Sequence, residues 1–180
     1  MPFAETLGQV LSSFIDSAAR DEAQSSPNYL YILFETTALT LRHVRHSPEV
    51  FAQVERQLCG ALNYVISQNV QDMVGYAFQI YALFVANSSS LQQNYTAIAD
   101  SLLGNSANWD KDMKYLIPAL AQFLVAMICK YPEYFTKDKL ESLQVVVNHL
   151  MQADVRMEPT ALQITSAIFE KLPLAGEFLH

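Results

Sequence analysis

Four phenylalanines mark a repeating interval along this chain. Phe34, Phe78, Phe123 and Phe169 each lie inside a strongly apolar segment, and the steps between them are 44, 45 and 46 residues. The segments read FETTALTL, FQIYALFV, FLVAMICK and FEKLPLAG. After each of the first three comes a break and then a second helical segment with a narrower apolar stripe. In PEVFAQVERQLCGALNYVI the apolar positions are Phe51, Val54, Leu58, Leu62 and Val65, and in KLESLQVVVNHLM they are Leu140, Leu143, Val147 and Leu150. Steps of three or four put such residues on one face of a helix, so each segment reads as an amphipathic helix with one buried side.

A helix pair recurring every ~40–47 residues is the signature of a HEAT-type solenoid, in which each unit buries its apolar face against the next. The predicted fold class is therefore all-α, a HEAT-type α–α superhelix of about four helix pairs. The helical segments run at about 3–20, 28–45, 48–67, 70–86, 90–103, 113–130, 137–152 and 159–171, with a short stub from Leu174. Grouped as pairs they give 28–67, 70–103, 113–152 and 159–180, preceded by a lone helix at 3–20, with the four phenylalanine-bearing helices in one layer. A compact helical bundle without repeats is the competing architecture. Punctuation agrees with the segmentation. Ser47-Pro48 offers a capping hydroxyl before a proline at the first helical position, where the missing N–H costs nothing. Pro27, Pro132 and Pro159 also stand at segment edges, while NSSS at 87–90 and GNSANWD at 104–110 read as loops. Pro118 lies inside MKYLIPALAQFLVAMI, so that helix either starts near Leu116 or is kinked.

The stretch VQDMVGYAFQIYALFV, 70–85, is apolar on nearly every face of a helix. A membrane span needs ~20 apolar residues. This run carries Gln71 and Asp72 at its start, Gln79 in its middle and Asn87 with three serines directly after it. It reads instead as an inner helix lying between neighbours, and no membrane insertion is expected.

Half of the residues are hydrophobic and only 16% are charged, with 5 glycines and 7 prolines, a profile of a folded helical protein rather than a disordered one. The formal charge of −7 repels a phosphate backbone, which argues against nucleic acid and leaves room for a basic protein partner. Cys59 and Cys129 are far apart in helical apolar surroundings and read as buried free thiols in a reducing compartment. The N-terminus MPFAETLGQVLSSF lacks the pattern of a secretory signal, so the chain reads as intracellular and the sequons at Asn87 and Asn94 as unmodified.

Candidate chemistry is thin. His43 and His46, three apart on one expected helix, could offer two metal ligands, but no matched acidic or cysteine partner accompanies them and a surface or capping role fits better. No nucleophile elbow, HExxH, phosphate loop or CxxC occurs. Tyr29, Tyr31, Tyr76, Tyr81 and the phenylalanines fall at helical spacing and read as core rather than as a cofactor box. Trp109 stands alone in a loop, where it could be a binding hot spot or fold back over a helix end. The residues describe a scaffold with no catalytic site, metal or cofactor. A HEAT or armadillo scaffold of an unrelated complex and a helical hydrolase are the rival classes.

Three motifs in order carry a resemblance. NYLYILFETTALTLRHV holds Phe34, Glu35, Leu39, Leu41 and Arg42. Val70, Gln71, Asp72, Tyr76, Phe78 and Gln79 follow, and then Trp109 with Ile117, Pro118, Ala119 and Leu120. This order and spacing resembles the C-terminal third of the importin-α re-exporters, the exportin-2 or cellular apoptosis susceptibility family of the importin-β superfamily, best over about 28–125. The sequence departs from the family pattern at Gly75, where proline is usual, in two extra residues between Trp109 and Ile117, and at Gln122, where a basic residue is usual. The resemblance implies a fragment of a Ran-dependent nuclear export receptor that returns importin-α to the cytoplasm by non-covalent clamping, GTP hydrolysis belonging to Ran. It implies importin-α, RanGTP and nuclear pore proteins as partners of the full-length protein, no cofactor, shuttling between nucleus and cytoplasm, and a monomeric fragment. It assigns no contact residue.

Overall fold

The structure, a computed structural model, describes residues 2–20, 26–105, 115–153 and 155–172. These residues form eight α-helices and two short 3₁₀ turns, with no strand among them. The helices are α1 (Pro2–Arg20), α2 (Pro27–Val44), α3 (Pro48–Ser67), α4 (Gln71–Asn87), α5 (Gln93–Gly104), α6 (Ile117–Lys130), α7 (Lys137–Ala153) and α8 (Glu158–Lys171). Each falls on an expected segment, with edges that differ by a few residues. The expected stub from Leu174 lies outside the described residues.

The chain divides into two compact units, Met1–Ser89 and Ser90–His180. In the first, α1 packs along α3 and α2 along α4, while α3 and α4 cross between the two layers. In the second, α5 packs on α7 and α6 on α8, with α7 against α8. Helices two apart in sequence thus share a layer within each unit, the HEAT-like α–α arrangement, and the fold class is all-α as the periodicity indicates. The helices of Phe34 and Phe78 share a layer in the first unit, and those of Phe123 and Phe169 share one in the second.

Helix α2 shows how sequence sets each element. Ser26 caps it, its hydroxyl accepting from the Tyr29 amide at 3.2 Å, and Pro27 occupies the first position. Leu30, Leu33, Phe34, Thr37, Ala38 and Leu41 then form a buried stripe at helical spacing. The expected hydroxyl cap at Ser47 does not form. Ser47 is the N-cap and Pro48 opens α3, but with φ −120° and ψ 94° its hydroxyl makes no capping bond, and its carbonyl accepts from Phe51 N at 2.9 Å instead. Pro118 resolves as the start of α6, which begins at Ile117. Between α3 and α4 the chain turns at Asn69, in the left-handed region with φ 50°. Val70 N bonds Val65 O and Asn69 N bonds Ile66 O, both at 3.1 Å, the paired bonds that close a helix at a left-handed residue.

Helix α4 is buried as expected. Met73, Val74, Ala77, Phe78, Ile80, Tyr81, Phe84 and Val85 are all covered. Beyond Gln71 at the helix start, only a narrow exposed line remains, Asp72, Gln79 and Ala86, each seven residues apart. Its aromatics lock it to both layers. Tyr76 stacks on Phe34 of α2 with ring centroids 5.0 Å apart, and Phe84 meets Phe51 of α3 edge-on at 6.2 Å. Packing is also close between α1 and α3. A Cβ on Gly8 would lie 3.1 Å from Cβ of Gln57, so the side-chain-free position lets the two backbones approach.

Several aromatics expected in the core are not there. Tyr29, Tyr31, Phe14 and Phe169 are 42%, 56%, 50% and 53% exposed. Each lies on a helix that buries one stripe, and each falls off that stripe. Phe169 sits one position beyond Ile168 on α8, past the buried run Ala161, Ile164 and Ala167, and lines a groove with α7.

Candidate functional surface

The histidine pair does not form a ligand set. α2 ends at Val44, so His46 lies in the following turn, where its Nε2 accepts from Arg45 Nε at 3.2 Å. His43 is exposed on the last turn of α2. No group of three or more His, Cys, Asp or Glu that could hold a metal occurs among the described residues. Trp109 lies outside the described residues. No described helix is long and apolar enough to cross a membrane.

The cysteines form no disulfide, and only Cys59 is partly covered. Cys129 is exposed, contrary to expectation, because it falls on the solvent line of α6 seven residues after exposed Gln122. Cys59 belongs instead to a polar seam. Glu55, Cys59 and Asn63 are four residues apart on α3, so they share a face, and that face meets Tyr81 of α4. The Tyr81 hydroxyl donates to Asn63 Oδ1 at 2.5 Å. Burial first, and then Cys59 and Glu55 beside it, push the Tyr81 hydroxyl far above the ordinary phenol range. With Tyr81 wholly buried and Glu55 2% exposed, this seam fixes how α3 and α4 meet, and Asn63 lies exposed at its outer end.

A second polar cluster joins α5 to the turn before α7. Tyr134 donates to Asp100 Oδ1 at 2.6 Å, and Lys139 Nζ lies 2.8 Å from the same oxygen and 3.4 Å from the Tyr134 ring centre. Lys139, and then the Tyr134 hydroxyl, hold the Asp100 carboxyl below its usual range. Burial, with Asp100 next to it, pushes the Tyr134 hydroxyl up. These contacts tie the elements together, and the cluster acts as a clasp between them.

Among the open surfaces of the described residues are apolar grooves between helices. One of about 190 Å³ lies between α7 and α8, with Leu140, Val147, Ile168 and Phe169 as its apolar wall. Another, about 450 Å³, lies where α1 meets α2, with Ala4, Leu7, Leu39, His43, Val44 and Val54 among its lining residues. Above it Ile32 is 62% and Leu39 54% exposed. The sequence reading missed this surface because it followed the Phe34 stripe alone. The signal was present: Ile32, Thr36, Leu39 and His43 step by four, three and four, a second face on the same helix. Exposed apolar surface of this kind suits protein binding.

Comparison with known proteins agrees with this picture. The family model described as "CAS/CSE protein, C-terminus" matches residues 1–176. The importin-alpha re-exporter of Schizosaccharomyces pombe is 28% identical over 142 residues, 77% of this chain and 14% of that protein. Exportin-2 of Oreochromis niloticus is 24% identical over 179 residues, 96% of this chain and 18% of that protein. Exportin-2 of Danio rerio is 25% identical over 154 residues, 83% of this chain and 15% of that protein. The chain therefore spans less than a fifth of the length of the curated relatives it matches. No solved structure matches it. A match that takes in nearly the whole chain, on an all-α HEAT-like fold, makes this chain a member of the CAS/CSE family, within the region that its C-terminal model describes.

Proposed function

We propose that this chain is part of a Ran-dependent nuclear export receptor that carries importin-α back to the cytoplasm and shuttles between nucleus and cytoplasm. The observation that carries the reading is the family match over residues 1–176, supported by relatives named importin-alpha re-exporter and exportin-2. The chain works by shape and surface, not chemistry. Stacked helices present long faces and grooves, and binding free energy is gathered over many contacts rather than spent at a reacting atom. Importin-α and RanGTP are the partners of the full-length protein, nuclear pore proteins its passing contacts, and this segment by itself is monomeric. The repeat organisation belongs to the same proposal: helix pairs near 28–67, 70–103, 113–152 and 159–180 after a lone helix at 3–20, forming one stack.

The test uses the full-length parent, importin-α, and Ran held in either nucleotide state. Importin-α should be retained strongly with RanGTP and weakly with RanGDP or without Ran, because two ligands that favour one receptor conformation strengthen each other by linkage. Equal retention in all three conditions would remove the export reading and leave a HEAT-type scaffold.

A further inference from the structure

The groove between α1 and α2 has a property its counterpart between α7 and α8 lacks. Arg42, His43, Arg45 and His46 crowd the end of α2, all of them exposed. From Thr36 through Pro48 the chain has no carboxylate at all, although its formal charge is −7. Three acids lie near this end: exposed Glu49 opens α3 directly after Pro48, and the other two already have partners. Glu35 is 4.0 Å from Arg42, and Glu5 accepts from the Gln53 amide at 3.1 Å. Complementing the helix dipole explains the positive charge of Arg42 in the last turn, but Arg45 lies beyond the helix end.

We propose that this groove docks an acidic amphipathic protein segment. Aliphatic side chains of that segment enter the trough between Leu7 and Leu39 and run on towards Ile32, while its carboxylates meet Arg42 and Arg45. The groove supplies apolar area, and the basic end supplies orientation and a preference of sign. An uncharged or basic segment would gain the first without the second. Leu39 and Ile32 are among the most exposed large side chains of the chain, so covering them removes surface that has no other cover in this structure. The inference does not depend on the export reading, since it concerns the groove's own chemistry.

The test is fluorescence anisotropy of the 180-residue chain with a labelled synthetic helix, leucines on one face and glutamates elsewhere. Three controls accompany it: the same helix with lysines for glutamates, polyglutamate without leucines, and a single-stranded oligothymidine. The leucine–glutamate helix should bind with Kd of about 10–100 μM at low salt and lose about tenfold at high salt. Leu39→Asp, and Arg42→Glu with Arg45→Glu, should each weaken it by about tenfold. These side chains are exposed, so thermal melting should show the variants folded. Absence of saturable binding, equal binding of the lysine helix or of polyglutamate, tighter binding of the oligonucleotide, or indifference to both sets of substitutions would each overturn the proposal. So would a Leu39-dependent dimer in sedimentation, which would make a second copy the occupant.

Discussion

Phe78 and Phe169 belong to the same regularly spaced phenylalanine series in the sequence and face opposite environments. Phe78 is 5% exposed in the middle of α4, and Phe169 is 53% exposed on α8. Removing a buried aromatic costs its transfer free energy and leaves a cavity that its neighbours fill only in part. Phe78→Ala is therefore expected to destabilise by about 3–5 kcal/mol and to lower the melting temperature by roughly 6–20 °C. Phe169→Ala should stay within about 0.5 kcal/mol. Calorimetry of both variants checks the pair, and equal shifts would show that burial does not separate them. The contrast also marks what the sequence could convey at this scale. Apolar periodicity places a residue on a helix and on a line of that helix. It does not say which lines find a neighbour, so Tyr81 and Phe34 were read correctly while Tyr29, Tyr31 and Cys129 were not. Tyr81→Phe offers a finer test. It keeps the ring against Phe84 but removes the bond to Asn63. A loss of about 0.5–1.5 kcal/mol in urea unfolding is expected, that of one net hydrogen bond.

At the scale of elements, junctions carry information that segment composition does not. Asn69 closes α3 with φ 50°, a conformation that costs an ordinary residue roughly 1–2 kcal/mol and asparagine less. Asn69→Ala should lower the urea midpoint by about 1 kcal/mol in stability, whereas Asn69→Gly should leave it unchanged or slightly raised. The Asp100–Tyr134–Lys139 clasp gives a pH signature with two limbs. The Asp100 carboxyl is held below its ordinary value, so its contribution is present above about pH 4 and is lost as pH falls further. The Tyr134 hydroxyl is held above its ordinary value, so its contribution is complete below about pH 10 and is lost as pH rises beyond. Asp100 is 56% exposed, so the carboxylate pair itself adds under about 1 kcal/mol. Melting temperature across pH should show a plateau between the limbs, and Asp100→Asn should remove the acid limb while only reducing the alkaline one, which burial of Tyr134 sustains. An unchanged acid limb in that variant would place the coupling elsewhere. Helix boundaries were legible from prolines and periodicity, because capping and stripe spacing are local properties. The clasp was not, since Asp100 and Lys139 are brought together only by α5 packing on α7.

For the whole molecule, the decisive quantity is how little of its curated relatives' length this chain spans. It covers 14% of the S. pombe relative and 18% of the O. niloticus one. A partner held by a long stack of helices gathers affinity from many small contacts, and a short segment offers a small share of them. Association also costs several kcal/mol in lost translational and rotational freedom, a cost that does not shrink with the segment. Small contact area against a fixed cost favours dissociation. The 180-residue chain alone is therefore expected to bind RanGTP or importin-α no tighter than about 10 μM, with or without the other ligand. Calorimetry with each partner, and with both together, measures this directly. Nanomolar affinity of the isolated chain for either would mean that binding is concentrated in one patch, and the groove beside Leu39 and Arg42 would be the first surface to mutate. Weak binding that becomes tight only in the full-length parent would instead locate the energy in the continuity of the stack, where no single repeat is sufficient and each adds to the next.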